Sequence, residues 1–298
     1  MNHSDTISRV LQTIPADKLA TLKGMVDQLQ KVEGIVAIVL GGSYARGAYH
    51  ATSDLDVGLY YHENAPFDID QIRQIANAFG EATVTGFYEW GAWVNGGAWI
   101  HTASGKVDFL YRNIEHVSRV LHEAKQGKHE LDYLQQPPFG FPSVIYLAET
   151  SICLPLYDPK GIIADLKALV DPYPPALKAN ITQNMLWSVD FTLTHARTFA
   201  AQGDVYTTVG CLTRAMSFLT QVLFALNETY FISDKKAIAA IDTFALKPPN
   251  YSARVNHILG HAGNTTEELA ATVRDMEDLF HQVVELTEGT YKPRFVLR

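Results

Sequence analysis

The sequence predicts an α/β (α+β) domain with a small mixed sheet over residues 1–135, followed by an all-α helical bundle domain over 136–298. Three observations predict this. Apolar spacings of 3.6 and of 2 alternate through the first part. A Pro/Gly-rich stretch, QQPPFGFPS (135–143), then interrupts the pattern. Beyond it strand signals nearly vanish and long amphipathic segments take over.

The elements follow in order. PADKLATLKGMVDQLQKV (15–32) has helical spacing, and Pro15 suits a first turn because the N–H it lacks would have no intrahelical partner there. GIVAIVL (34–40) reads as a short buried strand, and SYARGAYH (43–50) is long enough for about two helical turns. DLDVGLYY (54–61) reads as a strand and DIDQIRQIANAFG (68–80) as a helix ending on Gly80. Turn signals at Asn95-Gly96-Gly97 and Ser104-Gly105-Lys106 cut residues 81–112 into three strands joined by tight turns. IEHVSRVLHEAKQGK (114–128) returns to helix. In the second part, 173–202 and 205–230 are long helices divided by Gly203-Asp204. Shorter helices at 234–242 and 250–259 flank Pro248-Pro249. A third long helix, 265–289, starts with an N-cap threonine followed by glutamates.

Composition narrows the function. A formal net charge of -8 and a pI near 5.7 argue against a protein built to grip a long polyanion, so no nucleic-acid partner is expected. A local pocket for one triphosphate is still allowed. The two cysteines, Cys153 and Cys211, have no metal or disulfide spacing. The N-terminus lacks a basic and apolar leader pattern, and no apolar run approaches the ~18 residues of a membrane span. A cytoplasmic protein with no membrane partner is the expectation.

The informative stretch is IVLGGSYARGAYHATSDLDVGLYY (38–61). A glycine turn between a buried strand and a helix lets phosphate approach free backbone N–H groups, and Ser43 adds a hydroxyl. Asp54 and Asp56, two apart on a strand, point to one face. Like charges so close disfavour each other's ionisation unless a hard divalent cation sits between them. A two-metal phosphoryl-transfer site wants a further carboxylate. Asp108, inside the apolar strand GKVDFLYR, is the best third ligand.

Gly42-Ser43, then Asp54-Leu55-Asp56 between apolar residues, then Asp108 on a later strand, resembles the polymerase beta-like nucleotidyltransferase superfamily. The resemblance covers roughly residues 30–115. A helical second domain of this length resembles the antibiotic-modifying branch, kanamycin nucleotidyltransferase-like enzymes. The resemblance implies two Mg²⁺ ions and a nucleoside triphosphate, with ATP the expected co-substrate. Asp54 and Asp56 would hold one ion on the β- and γ-phosphates, and Asp108 would complete the second site. Gly42, Ser43 and Arg46 would bind the nucleotide. A nucleoside monophosphate, expected to be AMP, would pass to a hydroxyl of a small molecule with release of pyrophosphate. That branch recruits a carboxylate as general base. Here Glu149 is the candidate, with Asp190 in reserve, and Cys153 stands where the branch places a lysine; the alternative for Glu149 is a pairing with an arginine or a cap on a backbone segment.

Other readings stay open. The chain could modify a protein, as nucleotidyltransferases of some toxin–antitoxin systems do, or be a non-catalytic nucleotide-binding regulator. A related RNase chemistry uses Arg-x4–6-His, and Arg197 and Arg214 have no histidine at that spacing. Arg46 and Arg112 are candidates for phosphate contact or for solvated surface. Trp90, Trp93 and Trp99 would wall a substrate or, by the better expectation, pack on the sheet. His195, His257 and His261 read as structural or surface groups. A homodimer is left open.

Overall fold

The computed structural model describes residues 3–50 and 52–294, with side chains from residue 7 onward. The first elements are α1 (His3–Thr13), α2 (Ala16–Leu29), β1 (Ala37–Leu40), α3 (Gly42–Ala45), β2 (Leu55–Tyr61), α4 (Ile69–Phe79), β3 (Gly80–Val84), α5 (Gly91–Val94), β4 (Gly97–Thr102), β5 (Gly105–Asn113) and α6 (Ile114–Lys125). Then come β6 (Leu131–Asp132), β7 (Phe141–Pro142), α7 (Val144–Ile152), β8 (Leu154–Tyr157) and α8 (Ile162–Val170). The last elements are α9 (Pro175–Ala201), α10 (Val205–Leu226), α11 (Ala237–Ile241), α12 (Tyr251–Gly260) and α13 (Thr266–Glu285). They divide into two compact units, Met1–His122 with Tyr146–Pro172, and Glu123–Ile145 with Tyr173–Arg298. The Pro/Gly-rich stretch 135–143 lies wholly inside the second unit.

The first unit is a mixed α/β domain built on a six-stranded sheet of order β3-β4-β5-β2-β1-β8. Among the described residues only β2 and β5 run parallel; every other pairing is antiparallel. Strand alternation sends Leu55, Val57 and Leu59 of β2, with Val107, Phe109 and Tyr111 of β5, into one core. Leu22, Met25 and Leu29 from α2 and Ile72 and Ala76 from α4 belong to the same core. The intervening residues of β2 and β5 therefore point to the opposite face.

Three local expectations change. SYARGAYH forms one turn rather than two. Gly47, at φ +69, ends it, with Gly47 N–H donating to Tyr44 O and Ala48 N–H to Ser43 O. The Asn95-Gly96-Gly97 signal is not a tight hairpin, because residues 85–96 and α5 intervene between Val84 and its partner region on β4. Buried Asn95 braces that excursion, accepting from Tyr88 N–H at 2.9 Å and donating to Tyr61 OH at 2.8 Å. Finally, LPLY (154–157) is a strand in a region expected to be helical. It joins the sheet edge at β1, the chain having returned to the first unit within α7, at Tyr146.

Among the described residues the regular elements of the second unit are helices apart from the two-residue strands β6 and β7. In it α10 and α13 both pack against α9. Thr265 and Glu268 form a reciprocal capping box at the start of α13, as the sequence pattern suggested. By length and mean hydropathy (1.5 over its apolar window) α10 would suffice to cross a membrane, which corrects the expectation that no stretch approaches that threshold. Of that window 61% is buried inside the protein, as a core helix would be.

Candidate active site

The parallel pairing of β2 with β5 sets Asp56 directly opposite Asp108. Cross-strand partners share a face, so both carboxylates project from the side of the sheet that the core leaves. Asp54 stands one residue before β2, in phase with Asp56. Burial, then the charges of Asp108, Asp54 and Glu149, push the Asp56 carboxyl up to about 6; Arg46 opposes them. Asp108 is raised by burial and by Asp54, with Lys106 and His101 opposing. Among the described residues no three His, Cys, Asp or Glu side chains are gathered closely enough to enclose an ion. The donor set is all carboxylate oxygen and partly buried, which suits Mg²⁺.

The Asp56 shift has a measurable consequence. Its proton affinity is higher folded than unfolded (3.8 ordinarily), so the folded protein holds more protons between about pH 4 and 6. Stability contributed by this group therefore falls as pH rises through that window. Asp56→Asn removes the effect. In metal-free buffer the variant should gain on wild type between pH 4.5 and 7, by about 1–2 kcal/mol after allowing for partial exposure, or a few degrees in Tm. Thermal melts at the two pH values check this, and a Tm difference independent of pH would contradict it.

The turn before α3 is pressed against the same carboxylate. Gly41 N–H donates to Asp56 O at 2.8 Å. Gly42 has φ +60, and a Cβ placed on it would stand 1.6 Å from Asp56 Oδ2. Backbone conformation and contact each demand glycine here. The first bond of α3 is Ala45 N–H to Gly41 O, so the N–H groups of Gly42, Ser43 and Tyr44 precede it. The N-cap position is Gly41, and no side chain caps the helix. Arg46 is exposed at the end of α3, and its charge is felt at Asp56.

Arg112 departs from expectation, and Glu149 takes its alternative reading, a pairing with an arginine. Arg112 is 4% exposed, not on a solvated face and not free for phosphate. Its Nε and Nη2 donate to the two oxygens of Glu149, both at 2.8 Å, and its Nη1 donates to Tyr111 O and Val94 O. The guanidinium also lies over the Tyr146 ring. Glu149, expected among apolar neighbours, is thus held by both oxygens in an arginine fork while its charge reaches Asp56. Cys153, four residues on, is buried; burial pushes its thiol up to about 11, and Sγ donates to Thr150 O. Asp190 is in the second unit, on α9, with its carboxyl raised by burial.

The three tryptophans separate. Trp93 is buried, near Tyr146 and His116. Trp90 and Trp99 stack with ring centroids 4.5 Å apart, and Trp99, directly opposite Asp108 in the sheet, stays 48% exposed. His195 sits between Phe191 and Phe199, and His257 is 3.8 Å from Asp275. Contrary to expectation, Arg-x4–6-His spacing does occur in the chain: Arg254 and Arg274 precede His261 and His281 by seven positions. Arg254 is engaged with Asp278 and Gln282.

Residues 19–127 match the nucleotidyltransferase domain family. That span is less than half of the chain. It contains the Gly42-Ser43 turn, Asp54, Asp56, Asp108 and the Trp90–Trp99 stack, whereas Glu149 and nearly all of the helical second unit lie beyond it. A nucleotidyltransferase-like protein from Exiguobacterium sibiricum 255-15 has a solved structure similar to this chain. It is 10% identical, with 91% of this chain and 77% of that one covered and a TM-score of 0.46. No curated protein matches the chain.

Proposed function

We propose that this protein transfers AMP from ATP to a hydroxyl group of a small molecule, releasing pyrophosphate. The observation that carries this reading is the in-register pair Asp56 and Asp108 beside the Gly42-Ser43 turn, within the segment that matches the nucleotidyltransferase domain. Asp54 and Asp56 would hold one Mg²⁺ and, with Asp108, a second. Bound there, the ions supply charge neutralisation for the phosphates and acidify the acceptor hydroxyl. Backbone N–H groups of Gly42 to Tyr44 and the Ser43 hydroxyl hold phosphate oxygens, with Arg46 adding positive charge. The acceptor oxygen bonds to the α-phosphorus as the bond to pyrophosphate breaks. Its proton passes to Glu149, which Arg112 orients. A carboxylate has roughly four acceptor sites, and the fork occupies two.

The direct test is incubation with each nucleoside triphosphate, Mg²⁺ and a panel of hydroxyl compounds. Pyrophosphate release with a matching mass increment on one compound is expected from wild type and not from Asp54→Asn. Release from neither, or from both, would overturn the reading.

The turn makes a further prediction. Ser43→Ala should weaken binding of a non-hydrolysable triphosphate about tenfold, the cost of one hydrogen bond to a charged group. Gly42→Val should weaken it more, since the new side chain displaces the Asp56 carboxylate. Calorimetric titration measures both. Unchanged affinity in the glycine variant would place the phosphates elsewhere.

A further inference from the structure

One row of residues crosses four neighbouring strands. Gly41 bonds to Asp56, Asp56 is opposite Asp108, Asp108 opposite Trp99, and Trp99 opposite Thr83 on the edge strand β3. Strands lie about 4.8 Å apart, so the Trp99 backbone is roughly 10 Å from that of Asp56. Along this row the carboxylates lie between the phosphate turn and the indole.

In-line displacement fixes how such a row is used. The leaving pyrophosphate and the attacking oxygen lie on opposite sides of the α-phosphorus. If the turn at Gly42 and Ser43 holds the leaving side, the attacking side is the one toward Trp99. We propose that the exposed face of Trp99, backed by the stacked Trp90, is the platform on which the acceptor lies, making Trp99 a residue that determines acceptor specificity. This rests on the nucleotidyl-transfer reading above and adds the acceptor's shape to it.

The surroundings of the indole point to a saturated, hydroxylated ring. By strand alternation Trp99, His101, Thr83, Glu81, Lys106 and Asp108 share this face, and Thr83, Glu81, His101 and Lys106 are exposed. An aromatic floor ringed by hydroxyl, imidazole, amine and carboxylate groups suits a ligand with an apolar C–H face and hydroxyls around its edge. Trp90 stacking supplies rigidity: the indole is held by a ring 4.5 Å away at an interplanar angle of 24°, so little side-chain freedom is lost on binding. A ring of about 5 Å laid on Trp99 spans one strand spacing and brings an edge hydroxyl over Asp108.

The test uses the full chain with Mg²⁺ and α,β-methylene-ATP, read in two ways. Calorimetry gives the affinity for the nucleotide analogue. Saturation-transfer NMR and tryptophan fluorescence then give binding of four probes to the loaded protein: methyl α-glucopyranoside, myo-inositol, glycerol and N-acetyltyrosinamide. The two saturated rings should bind and quench, with glycerol at least tenfold weaker. Trp99→Ala should weaken ring binding tenfold or more, Trp99→Phe should restore most of it, and both variants should bind the analogue within twofold of wild type. The proposal is overturned by any of four results: ring binding unchanged in Trp99→Ala, nucleotide affinity lost with it (a base platform instead), preference for the tyrosine amide, or no ring probe bound by loaded wild type. Failure of wild type to bind the analogue at all would instead remove the nucleotidyl-transfer reading.

Discussion

Asp54→Asn and Asp56→Asn should each lower turnover by about 10³-fold or more while the protein stays folded. The expected loss follows from removing a charged oxygen from a set that neutralises phosphate charge in the transition state. The sign of the stability change separates this role from a structural one. Asp56 is held unfavourably by burial and by three neighbouring carboxylates, so its neutral analogue should melt higher in metal-free buffer. Added Mg²⁺ should raise the Tm of wild type and leave Asp56→Asn nearly unmoved, since only a species that binds the folded state stabilises it. Pyrophosphate release and thermal melting with and without Mg²⁺ measure these effects. Wild-type-like turnover in either variant, or a sharp fall in Tm without metal, would reverse the assignment.

The second large effect concerns Arg112 and Glu149. Glu149→Leu should destabilise the first unit by about 3–5 kcal/mol, because it leaves a buried guanidinium without its counter-charge. Desolvation strongly penalises the charged Arg112; Glu149 is the largest opposing influence and raises its proton affinity above the ordinary range. Pairing Glu149→Leu with Arg112→Met should recover most of the loss, since an apolar pair of similar volume needs no desolvation of charge. Denaturant melts of the two single variants and the double one form a cycle that isolates the coupling. Near-additive losses would mean that the fork contributes little. Turnover in the double variant separates positioning from proton transfer. A stable but inactive double variant supports Glu149 as proton acceptor, and recovered turnover reduces the pair to scaffolding.

Much of the scaffold was legible because local chemistry dictates it. Period-2 alternation around Asp56 and Asp108 puts carboxylates on one face and leucine, valine and phenylalanine on the other, whatever the strands pair with. The Thr265/Glu268 capping box depends on residues three apart. The shortness of α3 was less legible, although its cause, Gly47 at positive φ, is local as well.

What the sequence determined by itself is therefore the chemistry within a turn or a strand: a glycine turn, paired aspartates in phase, an apolar face opposite them, and helices with their caps. Only the tertiary structure decided which strands are neighbours. That choice placed Asp108 against Asp56 rather than beside another strand, returned Leu154–Tyr157 to the sheet edge, and left Trp99 exposed next to Asp108 while burying Trp93. It also joined Arg112 to Glu149 across 37 positions. A buried guanidinium needs a carboxylate near it in space, and nothing in the spacing along the chain says which one the fold will bring.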